Sequence, residues 1–98
     1  MTAIDSSEIR DLRHRIGLTQ AQLAALLGVH VMTISRWERG EVLPDGPAAH
    51  LLLALRDASA GRALAPAHKD EVLRTLAAGA AVGALVALLI AVFANGVE

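Results

Sequence analysis

Most of the reactive chemistry available to this 98-residue sequence lies in four histidines, ten carboxylates and nine basic side chains. There is no cysteine, which excludes a disulfide framework, a thiolate metal site and a cysteine nucleophile. His14, His30, His50 and His68 lie far apart. No two of them have the i, i+4 spacing that puts two imidazoles on one helix face beside a carboxylate. Asp70 and Glu71 are adjacent, so a helix would turn them to different directions and leave them as surface charge. There is no Gly-rich phosphate loop and no Ser-His-Asp grouping. These residues predict no enzyme, no metal and no cofactor. A different pattern runs from Thr19 to Arg39, where Thr19, Gln20, Val31, Met32, Thr33, Arg36 and Arg39 mix donors, apolar groups and cations. Such a mixture has meaning only if helices set it on one surface.

The composition supports an ordered fold, with 54% hydrophobic and 19% charged residues. Trp37 and Phe93 are the two aromatics, too few for a stacking platform for single strands. The net charge of −1 excludes a bulk-basic nucleic-acid coat, so any anion binding must come from local placement of cations. Residues 1–58 hold six of the nine basic and seven of the ten acidic residues and read as an ordinary soluble domain. Residues 59–67 are small, with a Gly and a Pro, and read as a linker. Residues 68–98 read as a long hydrophobic helix. The charged first fifteen residues lack an apolar signal-peptide core, which places the first domain in the cytoplasm. Strand-like alternation is absent, and the fold class is all-α.

Helix punctuation is clear in the first domain, which reads as four to five helices. Ser6 or Ser7 is expected to cap a first helix ending at Gly17, with Ile9, Leu12 and Ile16 inward. Thr19 and Gln22 form a capping box for a second helix that buries Leu23, Leu26 and Leu27 and stops at Gly28. A third runs to Gly40, with Ile34 and Trp37 on its buried edge. Pro44 and Asp45-Gly46-Pro47 mark a loop, and a fourth helix to Ala58 turns Leu51, Leu52 and Leu55 inward.

Two helices joined by a three-residue turn containing Gly28 make a helix-turn-helix. Residues 18–40 resemble the phage-repressor and Cro-like helix-turn-helix family. The matching features are Thr19-Gln20 at the start of the scaffold helix, Ala24 four residues before Gly28, then Val29, Ile34, Trp37-Glu38 and Gly40. The similarity covers roughly residues 7–58 and implies binding of double-stranded DNA. The Leu-Pro-Asp-Gly-Pro run over residues 43–47 is similar to antitoxin-type regulators within that family.

A helix fits the major groove of B-DNA, so the exposed start of the third helix would face base edges. Val31 and Met32 are either incidentally exposed or suited to thymine methyl groups. Arg36, one turn beyond Met32, can fork onto a guanine, with a phosphate contact or a solvated side chain as the plainer readings. The resemblance implies phosphate bonds from Thr19 and Gln20, where helix dipole and amides also favour an anion. Thr33 and Arg39 are further phosphate candidates. Arg13 and Glu38 match the positions of a structural ion pair between helices 1 and 3 in that family. Arg10 and Arg15 read chiefly as solvated. The sequence departs from the family at Glu41, where a basic residue is common, and at His30, where the reading helix more often has a Ser or Thr cap.

From Thr75 to Val97 no residue is charged. A helix of that length spans about 34 Å, against about 30 Å for a bilayer core. Arg56, Arg62, Lys69 and Arg74 precede it and Glu98 follows, the asymmetry of a span with its N-terminal side inside. The favoured reading is a single inner-membrane span over 75–97; the competing one is a shared core helix of a soluble oligomer. Both use Gly79, Gly83, Ala87 and Ala91, a small-residue stripe that lets two helices approach closely. The reading that results is a dimeric DNA-binding transcription regulator, acting as a repressor and anchored or oligomerised by its tail. Two alternatives stand beside it: an antitoxin-like autoregulator that binds a toxin protein, and a membrane-tethered interaction module that does not bind DNA.

Overall fold

The computed structural model describes residues 4–59, 62–79 and 82–95. Six helices follow one another, with no strand among the described residues: α1 Ser6–Ile16, α2 Gln20–Leu27, α3 Val31–Glu38, α4 Gly46–Ser59, α5 Pro66–Ala77 and α6 Val82–Asn95. The all-α class read from the sequence is the class observed.

The inward residues follow from helical periodicity. Ile9, Leu12 and Ile16 of α1, Leu23, Leu26 and Leu27 of α2, and Ile34 and Trp37 of α3 are all buried. Asp5, not Ser6 or Ser7, caps α1: its carboxylate accepts from the Glu8 amide at 2.8 Å, while Glu8 Oε1 accepts from the Asp5 amide at 3.1 Å. The reciprocal bonds make a capping box, and Asp-x-x-Glu was its readable signature. The Glu8 amide, with help from the Ser7 hydroxyl, holds the Asp5 carboxyl below its usual range. The box expected at α2 is present, with Gln22 N–H donating to Thr19 Oγ1 at 3.1 Å and Thr19 N–H to Gln22 Oε1 at 2.9 Å.

The C-terminal third corrects the expectation of one long helix. Residues 68–98 do not form a continuous rod. Gly79 sits at φ +84°, in the left-handed region that a β-carbon disfavours, and ends the helical path after α5. The chain then re-enters a helix at Val82, and α6 packs on α4, α2 and α5. No helix among the described residues is long and apolar enough to cross a membrane, so the span expected over 75–97 is not formed; its residues 80–81 and 96–97 lie outside the described residues. Nor does the small-residue stripe run along one helix, because Gly79 lies in the turn, while Ala87 and Ala91 are exposed on α6.

The physical reason is that the domain needs what α6 supplies. Leu85, Val86, Leu89 and Phe93 form one stripe of α6 and are 0–4% exposed. Burying four such side chains is worth on the order of 6–12 kcal/mol before ordering costs, which is comparable to the whole stability of a small domain. The outward positions Ala84, Ala87 and Ala91 are small, so a helix apolar all round leaves little apolar area in water. Arg62, which the sequence placed beside a span, ties the assembly instead. Its Nη2 donates to the carbonyls of Phe93 at 2.7 Å and Ala58 at 3.1 Å, and its Nε to that of Ser59 at 3.1 Å. One cation thus serves the C-terminal ends of α4 and α6, where carbonyl dipoles favour it. The preceding link is pinned as well: the amide of the buried Leu64 donates to the Arg15 carbonyl at 2.8 Å.

Since α6 is part of the core, Leu89→Ala is expected to destabilise the helix-turn-helix domain itself by about 2–5 kcal/mol. Thermal unfolding followed through Trp37 fluorescence measures this, because Trp37 lies on α3 and would not sense loss of a detached tail.

Candidate nucleic-acid interface

The recognition surface is set from behind by a buried carboxylate. Glu38, in the last turn of α3, is 3% exposed. Arg13 of α1 grips it with two bonds, Nε to Oε2 at 2.6 Å and Nη2 to Oε1 at 3.0 Å. Gln20 of α2 donates from Nε2 to Oε1 at 3.1 Å. Arg10 approaches Oε1 at 3.8 Å and donates from Nη2 to the Glu38 carbonyl at 2.8 Å. Arg13 Nη1 also donates to the Leu18 carbonyl at 3.0 Å, fixing the link between α1 and α2. Burial pushes the Glu38 carboxyl up; the hydrogen bonds from Arg13 and Gln20, with the charges of Arg13 and Arg10, outweigh it and hold the group below its ordinary value.

With Ile34, Trp37 and Glu38 turned inward, the rest of α3 faces out. Val31, Met32 and Arg36 are exposed, while Thr33 and Ser35 are half-buried. The Arg36 guanidinium makes no hydrogen bond or ion pair with any described residue, so it is available to a ligand. His30 is the N-cap of α3, accepting at Nδ1 from the Met32 amide at 3.1 Å. The imidazole replaces the hydroxyl usual at such a cap, and accepting there requires its proton on Nε2.

The phosphate candidates differ in their freedom. Thr19 is exposed, and its hydroxyl accepts from the Gln22 amide, which leaves its own proton for a donor bond. Gln20 has a second task that the sequence did not reveal, since one of its amide protons is committed to Glu38. Arg39 is exposed but paired with Glu41, Nε to Oε2 at 2.8 Å. Thr33 stands beside a cleft of about 240 Å³, which it lines with Arg36, Trp37, Val42 and Asp45.

Beside that cleft α3 ends in a pair of hydrogen bonds of Schellman type. The Gly40 amide donates to the Trp37 carbonyl at 3.1 Å and the Glu41 amide to the Arg36 carbonyl at 3.0 Å. Gly40 takes φ +75°, which an L side chain resists, and the chain doubles back along α3. Val42 thereby joins Arg36, a neighbour that helical periodicity could not supply. Arg10 and Arg15, read as solvated, also have partners: Arg10 at Glu38, and Arg15 at the Ser59 hydroxyl, 3.4 Å from Nη2. Among the described residues no group of three or more His, Asp or Glu side chains could hold a metal ion.

The geometry is that of a helix-turn-helix: a scaffold helix, a three-residue turn and a reading helix with its start exposed. The helix-turn-helix family model matches residues 9–55, from the first buried residue of α1 to the middle of α4. No curated protein and no solved structure matches the chain. Residues 9–55 are thus similar to the helix-turn-helix family, a likeness that suggests a DNA-binding regulator.

The depressed Glu38 carboxyl makes stability depend on pH with a definite sign. Its pKa is lower folded than unfolded, so its contribution is complete above the unfolded value of about 4.3 and is lost as pH falls through the folded one. Glu38→Gln keeps the shape but strips Arg13 of its counter-charge. It should destabilise the domain by about 3 kcal/mol at neutral pH. The deficit should shrink as pH falls through the depressed folded value, where the wild-type carboxyl is neutralised as well. Urea unfolding of both proteins across pH 3–7 reads the difference.

Proposed function

We propose that the chain is a sequence-specific, DNA-binding transcription regulator that represses by occupying its operator as a homodimer. The observation that carries this is the exposed row Val31, Met32 and Arg36, with Arg36 unengaged, on a reading helix whose rotation is set by the Arg13–Glu38 pair. Arg36 would fork onto a guanine, and Val31 and Met32 would meet thymine methyl groups. Thr19, Gln20 and Thr33 would hold the flanking phosphates. A single helix reads too few base pairs for useful selectivity, which supports a dimer on a pseudo-palindrome. Ala84 and Ala87 on the outer face of α6 offer a surface where two copies can approach closely.

The test is binding of the full chain to random duplexes at low salt, followed by selection of preferred sites. Retarded complexes that give a common site support the reading; no complex at micromolar protein would move it to a protein-interaction module. Arg36→Ala should cost about 1–3 kcal/mol at one base pair and relax selection there, with the melting temperature unchanged. Arg39 is neutralised by Glu41 in the free domain, so Glu41→Gln should strengthen binding to every sequence alike. The slope of log affinity against log salt should then steepen by about one, a change read by titration at several salt concentrations.

A further inference from the structure

The exposed large hydrophobic residues of the described chain are Val31, Met32, Val42 and Leu43, all within thirteen positions of one another. Large apolar side chains left in water close together along a small domain's chain are candidates for contact with a partner. Two of them follow from the start of α3. Val42 does not: it lies in the loop before α4, is 52% exposed, and shares the cleft with Thr33, Arg36, Trp37 and Asp45. Its place is fixed by the Gly40 turn and by the Glu41 amide on the Arg36 carbonyl. An isopropyl group is therefore held beside the Arg36 guanidinium, which has no partner among the described residues.

We infer that Val42 is a base-reading residue, packing on the C5-methyl group of a thymine close to the guanine that Arg36 engages. The inference rests on the DNA-binding function proposed above and gives it a fourth reader, from outside the reading helix. The valine side chain has no donor or acceptor, so the isopropyl group can neither hold a phosphate nor bond a base edge. The major groove presents one apolar group, the thymine methyl, and every other edge would lose hydration against an isopropyl group without compensation. Asp45, on the same cleft, repels phosphate and turns the cleft toward base edges rather than the sugar–phosphate backbone. The operator chemistry this selects is a guanine with thymines on its flanks.

Duplexes selected from a random pool by the full chain test the assignment, remade with deoxyuridine in place of thymidine one position at a time. That exchange deletes a methyl group and nothing else. At one position besides those met by Val31 and Met32 the wild type should lose about fourfold in affinity, the value of one buried methyl group. Val42→Ala should bind the thymidine duplex correspondingly more weakly and be indifferent to deoxyuridine at that position. Its sensitivity at the positions met by Val31 and Met32 should persist. Val42 is half-exposed, so the variant keeps the fold, which its thermal unfolding verifies. Selected DNA that is bound with the same deoxyuridine profile by the wild type and Val42→Ala overturns the role of Val42 and leaves the DNA-binding reading standing. Failure to bind any duplex overturns both.

Discussion

A carboxylate removed from water must be recompensed by donors at fixed positions, and Glu38 imposes that condition on the whole first half of the molecule. Its two oxygens take bonds from α1 through Arg13 and from α2 through Gln20, while the residue itself belongs to α3. An unpaired charge there would cost several kcal/mol, so the three helices are held in one arrangement. The rotation of α3 that brings Ile34, Trp37 and Glu38 inside is the rotation that leaves Met32 and Arg36 outside. The recognition face is the reverse side of this buried pair.

The second constraint is apolar. The helix-turn-helix segment has too little surface of its own to close a core, and α6 provides the missing wall through Leu85, Val86, Leu89 and Phe93. The apolar stripe of α6 thus finds its apolar environment inside its own domain. Arg62 adds direction to this otherwise non-directional contact, because its fork reaches carbonyls at the ends of both α4 and α6.

Charge is used sparingly on the recognition face. Arg10 and Arg13 serve Glu38, Arg39 serves Glu41, and Arg56 lies between Glu8 and Asp57. Among the described residues Arg36 is left as the unpaired cation of α3. A surface with so little uncommitted positive charge gains little from phosphates, whose attraction is indifferent to sequence. On the proposed DNA-binding reading, more of its affinity would come from groove contacts, and the exposed apolar side chains beside Arg36 suit that division.

Local patterns were legible in advance because each depends on residues a few positions apart. The inward faces of α1 to α3, the Thr19–Gln22 box, the stop at Gly28 and the exposure of residues 31, 32 and 36 all follow from helical periodicity and capping chemistry. The cap at Asp5 is equally local, since its box spans four residues. Longer-range features were hidden. Nothing in the spacing of Gln20 and Glu38 says that they touch, nor that Val42 turns back to Arg36, nor that Arg62 reaches Phe93. The fate of residues 75–97 was hidden most deeply. Hydrophobicity states that such a segment must leave water; it does not state what it enters. A left-handed turn at Gly79 and the open flank of α4 and α2 settle that question, because burial is non-directional until another surface with a matching shape is present.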